Sequence, residues 1–391
     1  MQSSFHRSGR GLLYAALLMA SVLPPLCLHP AIAAGASLEA VAGSMIMTGF
    51  RGQTLDDNAP ILEALRTCQV GHVILFDKDA TTGTARNIGS PEQVRALTAR
   101  LREAAPGPLF IAVDQEGGMV RRLKPDRGFM DMPAAKTLGR GKPENTSILA
   151  RRMGLKLAGL GINVDFAPVV DLDNPNSPII GKLSRSFSAD PATVSKHALA
   201  FGQALQDEGV IPVLKHFPGH GSSASDSHRG LADISAAWSS QADLRPYVDA
   251  IRAGWKGMIM VGHLSHKRLD PVHPASLSKT IIHDLLRTTL HWEGVVISDD
   301  LQMRAITSRY SLENTILLAV NAGVDILLFG NNVSWDPDLP AKVHATLVRL
   351  VKDGKIPRER LIESWRRIHR LHDAYATDGA AMPLEIPTDA W

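Results

Sequence analysis

Eight short runs of apolar residues, separated by longer amphipathic stretches, place the strongest constraint on how this chain can fold. Each run is continuously apolar, as expected of a β-strand that is covered on both faces. The stretches between them repeat apolar residues every three and four positions, which is typical of α-helices. The predicted strands are Met45–Phe50, His72–Phe76, Leu109–Asp114, Val164–Val170, Val210–Lys215, Met258–Gly262, Val295–Ser298 and Ile326–Phe329.

The alternation of eight strands with helices predicts an α/β protein built as a single (β/α)8 barrel of the TIM type. Two further helices, Ala341–Asp353 and Arg358–Tyr375, are predicted after the eighth strand. An open, doubly wound sheet is the main alternative, but no GxGxxG turn follows an early strand, which counts against its dinucleotide-binding form. The predicted intervening helices are Pro60–Gln69, Pro91–Ala104, Thr146–Ala158, Ala192–Asp207, Leu244–Ala253, Lys279–Leu290 and Leu312–Asn321.

Residues 1–33 have the features of a secretory signal peptide. Two arginines precede an apolar run, Leu12–Leu28, and the small residues Ala31 and Ala33 follow it. We therefore expect cleavage near Ala33, which would release a catalytic barrel of residues 34–391 to the periplasm or the cell exterior. An uncleaved membrane anchor is the alternative, but two prolines interrupt the apolar run.

The cysteine content and the charge exclude several classes of protein. Removal of the signal takes away Cys27 and leaves only Cys68, so the mature chain can form neither an internal disulfide nor a cysteine-based zinc site. The formal net charge of +3 is too small to indicate a nucleic acid or an anionic membrane as a partner.

Five of the predicted strands end in ionisable residues. In a barrel of this type these strand ends meet at one rim, where catalysis takes place. Each residue alone could equally belong to a loop or a helix cap, but five together favour a ligand with many hydroxyls, since each hydroxyl needs a polar partner once it leaves water. These strand ends carry Asp114, Asp171, Lys215 with His216, His263, and Asp299 with Asp300.

The loop Lys215–His228, with the sequence KHFPGHGSSASDSH, carries the densest set of reactive side chains. Its glycines and proline permit a sharp bend close to a ligand. Asp226 and His228 are two positions apart, so an extended backbone would point both the same way. The carboxylate could then orient and charge the imidazole, as an acid/base catalyst needs. Alternatively, His216, His220 and His228 could bind zinc, although their spacing matches no established metal motif.

The seventh predicted strand delivers two carboxylates to the rim, in the sequence VVISDDLQM. A carboxylate near an oxocarbenium-like transition state can attack an anomeric carbon. A helix cap is the alternative role for such a residue. Asp300 is the better placed of the two to cap the next helix, expected from Leu301 onward, and Asp299, the first residue after the strand, is the better placed for catalysis.

From Ser44 to Tyr375 the chain resembles glycoside hydrolase family 3, in particular its single-domain β-N-acetylglucosaminidase branch. The motif KHFPGHG followed by DSH carries the resemblance, together with the S-D-x-L-x-M strand end. The resemblance implies that Asp299 is the nucleophile and that His228, paired with Asp226, is the acid/base. By the same resemblance, the residues that bind the sugar are Asp114, Arg122, Arg185, Lys215 and His216.

The resemblance implies a retaining hydrolase that needs no cofactor or metal and removes terminal β-GlcNAc from peptidoglycan fragments or chitooligosaccharides. A barrel with a single cleft can work alone, so we expect a monomer. Its alternatives are a β-glucosidase, a GlcNAc phosphorylase and a non-catalytic sugar-binding protein. The chain departs from the family pattern at Met119, often an arginine after the Gly-Gly pair, and in the long stretch Asp77–Ile88. Both departures are expected at the cleft rim, where they would affect how an aglycone is held.

Overall fold

Eight parallel strands form the centre of the fold in a computed structural model, which describes residues 36–223 and 230–376. Each strand is buried, which explains its continuously apolar sequence. All eight predicted strands are confirmed, although most are shorter than their apolar runs. They are β1 Ile46–Gly49, β2 His72–Ile74, β3 Phe110–Val113, β4 Val164–Asp165, β5 Ile211–Phe217, β6 Met258–Val261, β7 Val296–Ser298 and β8 Leu327–Phe329.

The strand order closes the sheet into a barrel. Successive strands from β1 to β7 are neighbours, and β8 pairs in parallel with β1. A single parallel bridge, Ile297 to Ile326, joins β7 to the start of β8. The predicted (β/α)8 architecture is therefore confirmed.

Helices surround the barrel in the positions that the sequence predicts. Two long helices, Pro143–Gly159 and Pro191–Asp207, pack against each other beside β4 and β5. Several begin with proline in the first turn, and Ser90 and Asp190 cap the helices that follow them. The other α-helices are Leu38–Ser44, Pro60–Arg66, Pro91–Ala104, Ala135–Leu138, Ser240–Asp243, Arg245–Arg252, Arg304–Thr307, Leu312–Ala322, Leu339–Lys352 and Arg358–Tyr375.

Two elements differ from their predicted form. The strand predicted over Val164–Val170 stops at Asp165, because Pro168 has no N–H with which to extend the ladder, and one bridge from Val169 to Lys215 resumes it. The helix predicted over Lys279–Leu290 is a π-helix, Thr280–Thr289. Its wider turn keeps Ile281, Ile282, Leu286 and Arg287 on one buried face, and Arg287 reaches Asp325 at 2.6 Å.

No helix within the described ranges is both long and apolar enough to cross a membrane. Residues 1–33, where the signal peptide is predicted, lie outside those ranges.

Candidate active site

A cleft of about 520 Å³ opens at the carboxyl ends of the strands. Its position is the one that barrel enzymes use, because the loops that follow the strands converge there. Every predicted site residue that the structure describes lines this cleft: Asp114, Arg122, Arg185, Lys215, His216 and Asp299. The other two, Asp226 and His228, lie outside the described residues.

Asp114, which follows β3, binds two cations at one side of the cleft. Its Oδ1 is 2.8 Å from Nζ of Lys215, and its Oδ2 is 3.2 Å from Nη2 of Arg122. Burial alone would raise the pKa of Asp114, but Lys215 and Arg122 outweigh burial and hold that pKa well below its ordinary value. Asp114 is therefore a carboxylate, able to accept hydrogen bonds from ligand hydroxyls.

Glu116 joins two further cations beneath the cleft. Arg185 binds both of its carboxylate oxygens at 2.8 Å, and Nζ of Lys215 lies 2.7 Å from Oε1. All three side chains are less than a tenth exposed. Burial opposes ionisation here as well, but the neighbouring charges lower the pKa of Glu116 and raise that of Lys215, so both are charged.

A Gly-Gly turn brings Asp114 and Glu116 to the cleft together. The short strands Gln115–Gly117 and Val120–Arg121 form a hairpin, and Gly117 at the end of the first strand and Gly118 in the turn have φ of +92° and +57°. A β-carbon on Gly117 would lie 2.4 Å from the carbonyl oxygen of Pro133, so a larger residue cannot occupy that position without movement. The backbone geometry thus explains the two glycines in the sequence VDQEGG of residues 113–118.

Asp171 orients the two histidines that follow β5. Its Oδ2 lies 2.7 Å from Nδ1 of His216, and its Oδ1 accepts the backbone N–H of His220 at 2.6 Å. The strand register shifts between Leu214 and Phe217, which re-aims the side chains of this segment toward the cleft. Burial, and then His216, lower the pKa of His220 to about 4. The bond from the His220 backbone to Asp171 holds this part of the loop in place.

The two carboxylates after β7 have different surroundings. Asp300 binds backbone, because its Oδ1 accepts the N–H groups of Gln302 and Gly330, each at 3.0 Å. Asp299 lines the cleft, and its Oδ1 accepts the N–H of Asp300 at 2.8 Å. Asp300 also lines the cleft. The next helix begins at Arg304 with Met303 at its cap position, so Asp300 does not cap that helix, and the assignment of Asp299 to catalysis stays a prediction.

The stretch Asp77–Ile88 forms part of the rim and is tightly tied to the loop after β8. Arg86 is buried and lies 2.8 Å from Oδ2 of Asp79, and it donates to the carbonyl oxygen of Asn331 at 2.7 Å. The side-chain oxygen of Asn332 accepts the N–H of Ala80 at 2.9 Å. The rim is therefore built from two loops that hold each other in place.

Met119, the other departure from the family pattern, is 72% exposed at the opening of the cleft. Val333 lines the same cleft and is 52% exposed. Met119 and Val333 therefore add apolar surface to the cleft, whereas Asp114, Arg185 and Lys215 give it charge.

Sequence reasoning did not select Glu116, Asp171 or His263 as site residues. Glu116 lies two residues after Asp114, and Asp171 lies at a strand end. A search for carboxylates that could pair with Arg185, Lys215 and His216 would have found both. Among residues 36–223 and 230–376, no group of three or more His, Cys, Asp or Glu side chains could hold a metal ion.

The family model for the glycosyl hydrolase family 3 N terminal domain matches residues 36–371. The chain belongs to this family. It is 34% identical over 351 residues to Beta-hexosaminidase A of Pseudoalteromonas piscicida, an alignment that covers 83% of this chain and 57% of that protein. The chain thus spans little more than half the length of that relative.

Solved structures that resemble the chain include members of the same class of enzyme. The glycoside hydrolase family 3 beta-N-acetylglucosaminidase from Paenibacillus sp. superposes with a TM-score of 0.80 at 33% identity, covering 89% of this chain and 65% of that one. Beta-N-acetylhexosaminidase from Beutenbergia cavernae superposes with a TM-score of 0.76 at 31% identity, covering 87% of this chain and 99% of that one.

Proposed function

We propose that the chain is a retaining exo-β-N-acetylglucosaminidase that removes non-reducing terminal β-GlcNAc. The observation that carries the proposal is the placement of Asp299 in a cleft whose interior is lined by Asp114, Lys215 and Arg185. Charged side chains of this kind can form hydrogen bonds with sugar hydroxyls that leave water. The names of the two solved relatives above support the choice of N-acetylhexosaminides.

In the proposed first step, a carboxylate oxygen of Asp299 bonds to the anomeric carbon. The bond from that carbon to the leaving oxygen breaks, and His228 gives its proton to that oxygen. In the second step, His228 takes a proton from water, the water oxygen bonds to the anomeric carbon, and Asp299 is released. Asp226 orients His228 in both steps. Neither step needs a metal or an organic cofactor.

Asp299→Asn tests the nucleophile. Hydrolysis of 4-nitrophenyl β-GlcNAc is expected to fall at least about 10³-fold, as for other lost nucleophiles. Asp284→Asn is a matched control, because Asp284 is exposed on the π-helix and should leave the rate unchanged. A folded wild-type protein that turns over no N-acetylhexosaminide would end the proposal.

Three further measurements separate the alternatives. Preference for a β-glucoside would indicate a β-glucosidase, a rate that rises with added phosphate would indicate a phosphorylase, and tight GlcNAc binding without turnover would indicate a binding protein. Comparison of rates on GlcNAc–anhydroMurNAc and chitobiose would decide between peptidoglycan fragments and chitooligosaccharides.

We propose that the mature protein is exported after cleavage near Ala33 and acts as a monomer. The arginines and apolar run of residues 1–33 support export. N-terminal sequencing of the protein from periplasm or medium should begin close to residue 34, whereas intact residues 1–33 on cytosolic protein would contradict export. Light scattering of the purified protein should give the mass of one chain.

A further inference from the structure

We propose that His263 is a positioning residue that, with Ser276 behind it, holds the Asp299–Asp300 turn in its reactive geometry. His263 follows β6 and is 1% exposed. It does not line the cleft, so it is not placed to touch a sugar. The inference rests on the proposed role of Asp299 as nucleophile.

The contacts of His263 assign its tautomer. Nε2 lies 2.9 Å from the carbonyl oxygen of Asp300, and Nδ1 lies 2.7 Å from Oγ of Ser276. A carbonyl oxygen only accepts hydrogen bonds, so Nε2 carries the proton. In the neutral ring Nδ1 then accepts the hydroxyl proton of Ser276, which is fully buried.

The bond to Asp300 completes a set of contacts around one short turn. The Asp300 carbonyl also accepts the N–H of Met303 at 2.9 Å, so both of its lone pairs are occupied. The Asp300 carboxylate binds the N–H of Gly330, and the Asp300 N–H binds Oδ1 of Asp299. His263 thus fixes the peptide plane on one side of Asp300, while Asp300 directs the carboxylate of Asp299 on the other side.

A small displacement of this turn would reduce the rate of attack more than the binding of substrate. Reacting groups must approach within about 3–3.5 Å in line, and a misplacement of about 1 Å can cost 10²-fold in rate. The proposed sugar contacts of Asp114, Arg185 and Lys215 come from other parts of the barrel, and none of these three side chains bonds to His263. We therefore expect a loss in kcat with KM nearly unchanged.

Two substitutions of His263 test the two hydrogen bonds of its ring separately. In His263→Gln the amide nitrogen can take the place of Nε2 and donate to Asp300. In His263→Asn the shorter amide takes the place of Nδ1 and reaches only Ser276. We expect the glutamine variant to keep kcat within about threefold of wild type, and the asparagine variant to lose about 10- to 100-fold in kcat.

Covalent labelling provides a second readout. A slow substrate, 5-fluoro-N-acetylglucosaminyl fluoride, should label Asp299 of the wild-type protein, and intact-mass kinetics give the rate. The asparagine variant should be labelled about 10- to 100-fold more slowly than the glutamine variant at saturating probe. Equal labelling rates and equal kcat for the two folded variants would overturn the inference, whereas failure to label wild-type Asp299 would overturn the proposed nucleophile itself.

Discussion

Replacement of Glu116 by glutamine tests whether the buried ion cluster stabilises the fold as its geometry indicates. In the wild type Glu116 accepts two charge-assisted hydrogen bonds from Arg185, each at 2.8 Å, and forms an ion pair with Lys215 at 2.7 Å. Among the residues that the structure describes, Glu116 is the only carboxylate within ion-pair distance of Arg185. The variant keeps the shape of the side chain but turns an NH₂ group toward a buried cation.

Breaking a buried pair by removing one charge costs about 3–5 kcal/mol, because the remaining charge is left uncompensated away from water. We expect the free energy of unfolding of Glu116→Gln to fall by that amount. Urea titration followed by tryptophan fluorescence measures it, with an unchanged slope as evidence that both proteins unfold in the same way. A loss below about 1 kcal/mol would refute the reasoning.

Glu103→Gln is the matched control. Glu103 pairs with Arg100 on the exposed face of helix Pro91–Ala104, where 64% of the Glu103 side chain is in solvent. Such pairs contribute little, so the unfolding midpoint should not move. The sign of the pH dependence is a further check. Because the folded pKa of Glu116 is lowered, its contribution is complete above pH 4.5 and is lost as pH falls through the folded pKa.

Three other changes have defined expectations. Burial raises the pKa of Asp243 from 3.8 to about 6, so ionised Asp243 costs stability above pH 6 and this cost fades toward pH 4. Asp243→Asn keeps a partner for the Ser222 hydroxyl. In urea titrations, the free energy of unfolding of the variant minus that of the wild type should be roughly 1–3 kcal/mol higher at pH 7.5 than at pH 4.5. The same difference at both pH values would contradict this. Arg86→Met should lower the free energy of unfolding by about 3 kcal/mol and raise KM, since the rim loses its buried cation; an unchanged melting temperature and KM would contradict it. Gly330→Ala places a β-carbon 2.5 Å from Oδ2 of Asp300, so kcat should fall while circular dichroism is unchanged, and full activity would show that the turn can move freely.

The barrel could be predicted from the sequence because each strand is buried on both faces and so must be apolar throughout. The residues at the rim could be predicted as well, since an ionisable residue directly after a buried apolar run has to lie at the end of the strand. Glu116 was not selected, because its contact with Arg185 joins residues 69 positions apart and depends on the hairpin at Gly117. The sequence places His263 at a strand end, but its contact with the Asp300 carbonyl involves a backbone atom, which no sequence pattern marks.

The mutual anchoring of the two rim loops has a consequence for protein engineering. Both Arg51 and Arg86 lie against the ring of Trp335, at 4.4 and 5.3 Å from its centroid, and both bind Asp79. A graft of residues 77–88 into a related barrel would leave a buried guanidinium without its carbonyl and aromatic neighbours. The transplantable unit is therefore the stretch 77–88 together with Arg51 and the segment 331–335, and shuffling experiments that exchange one part alone should yield poorly folded chimaeras.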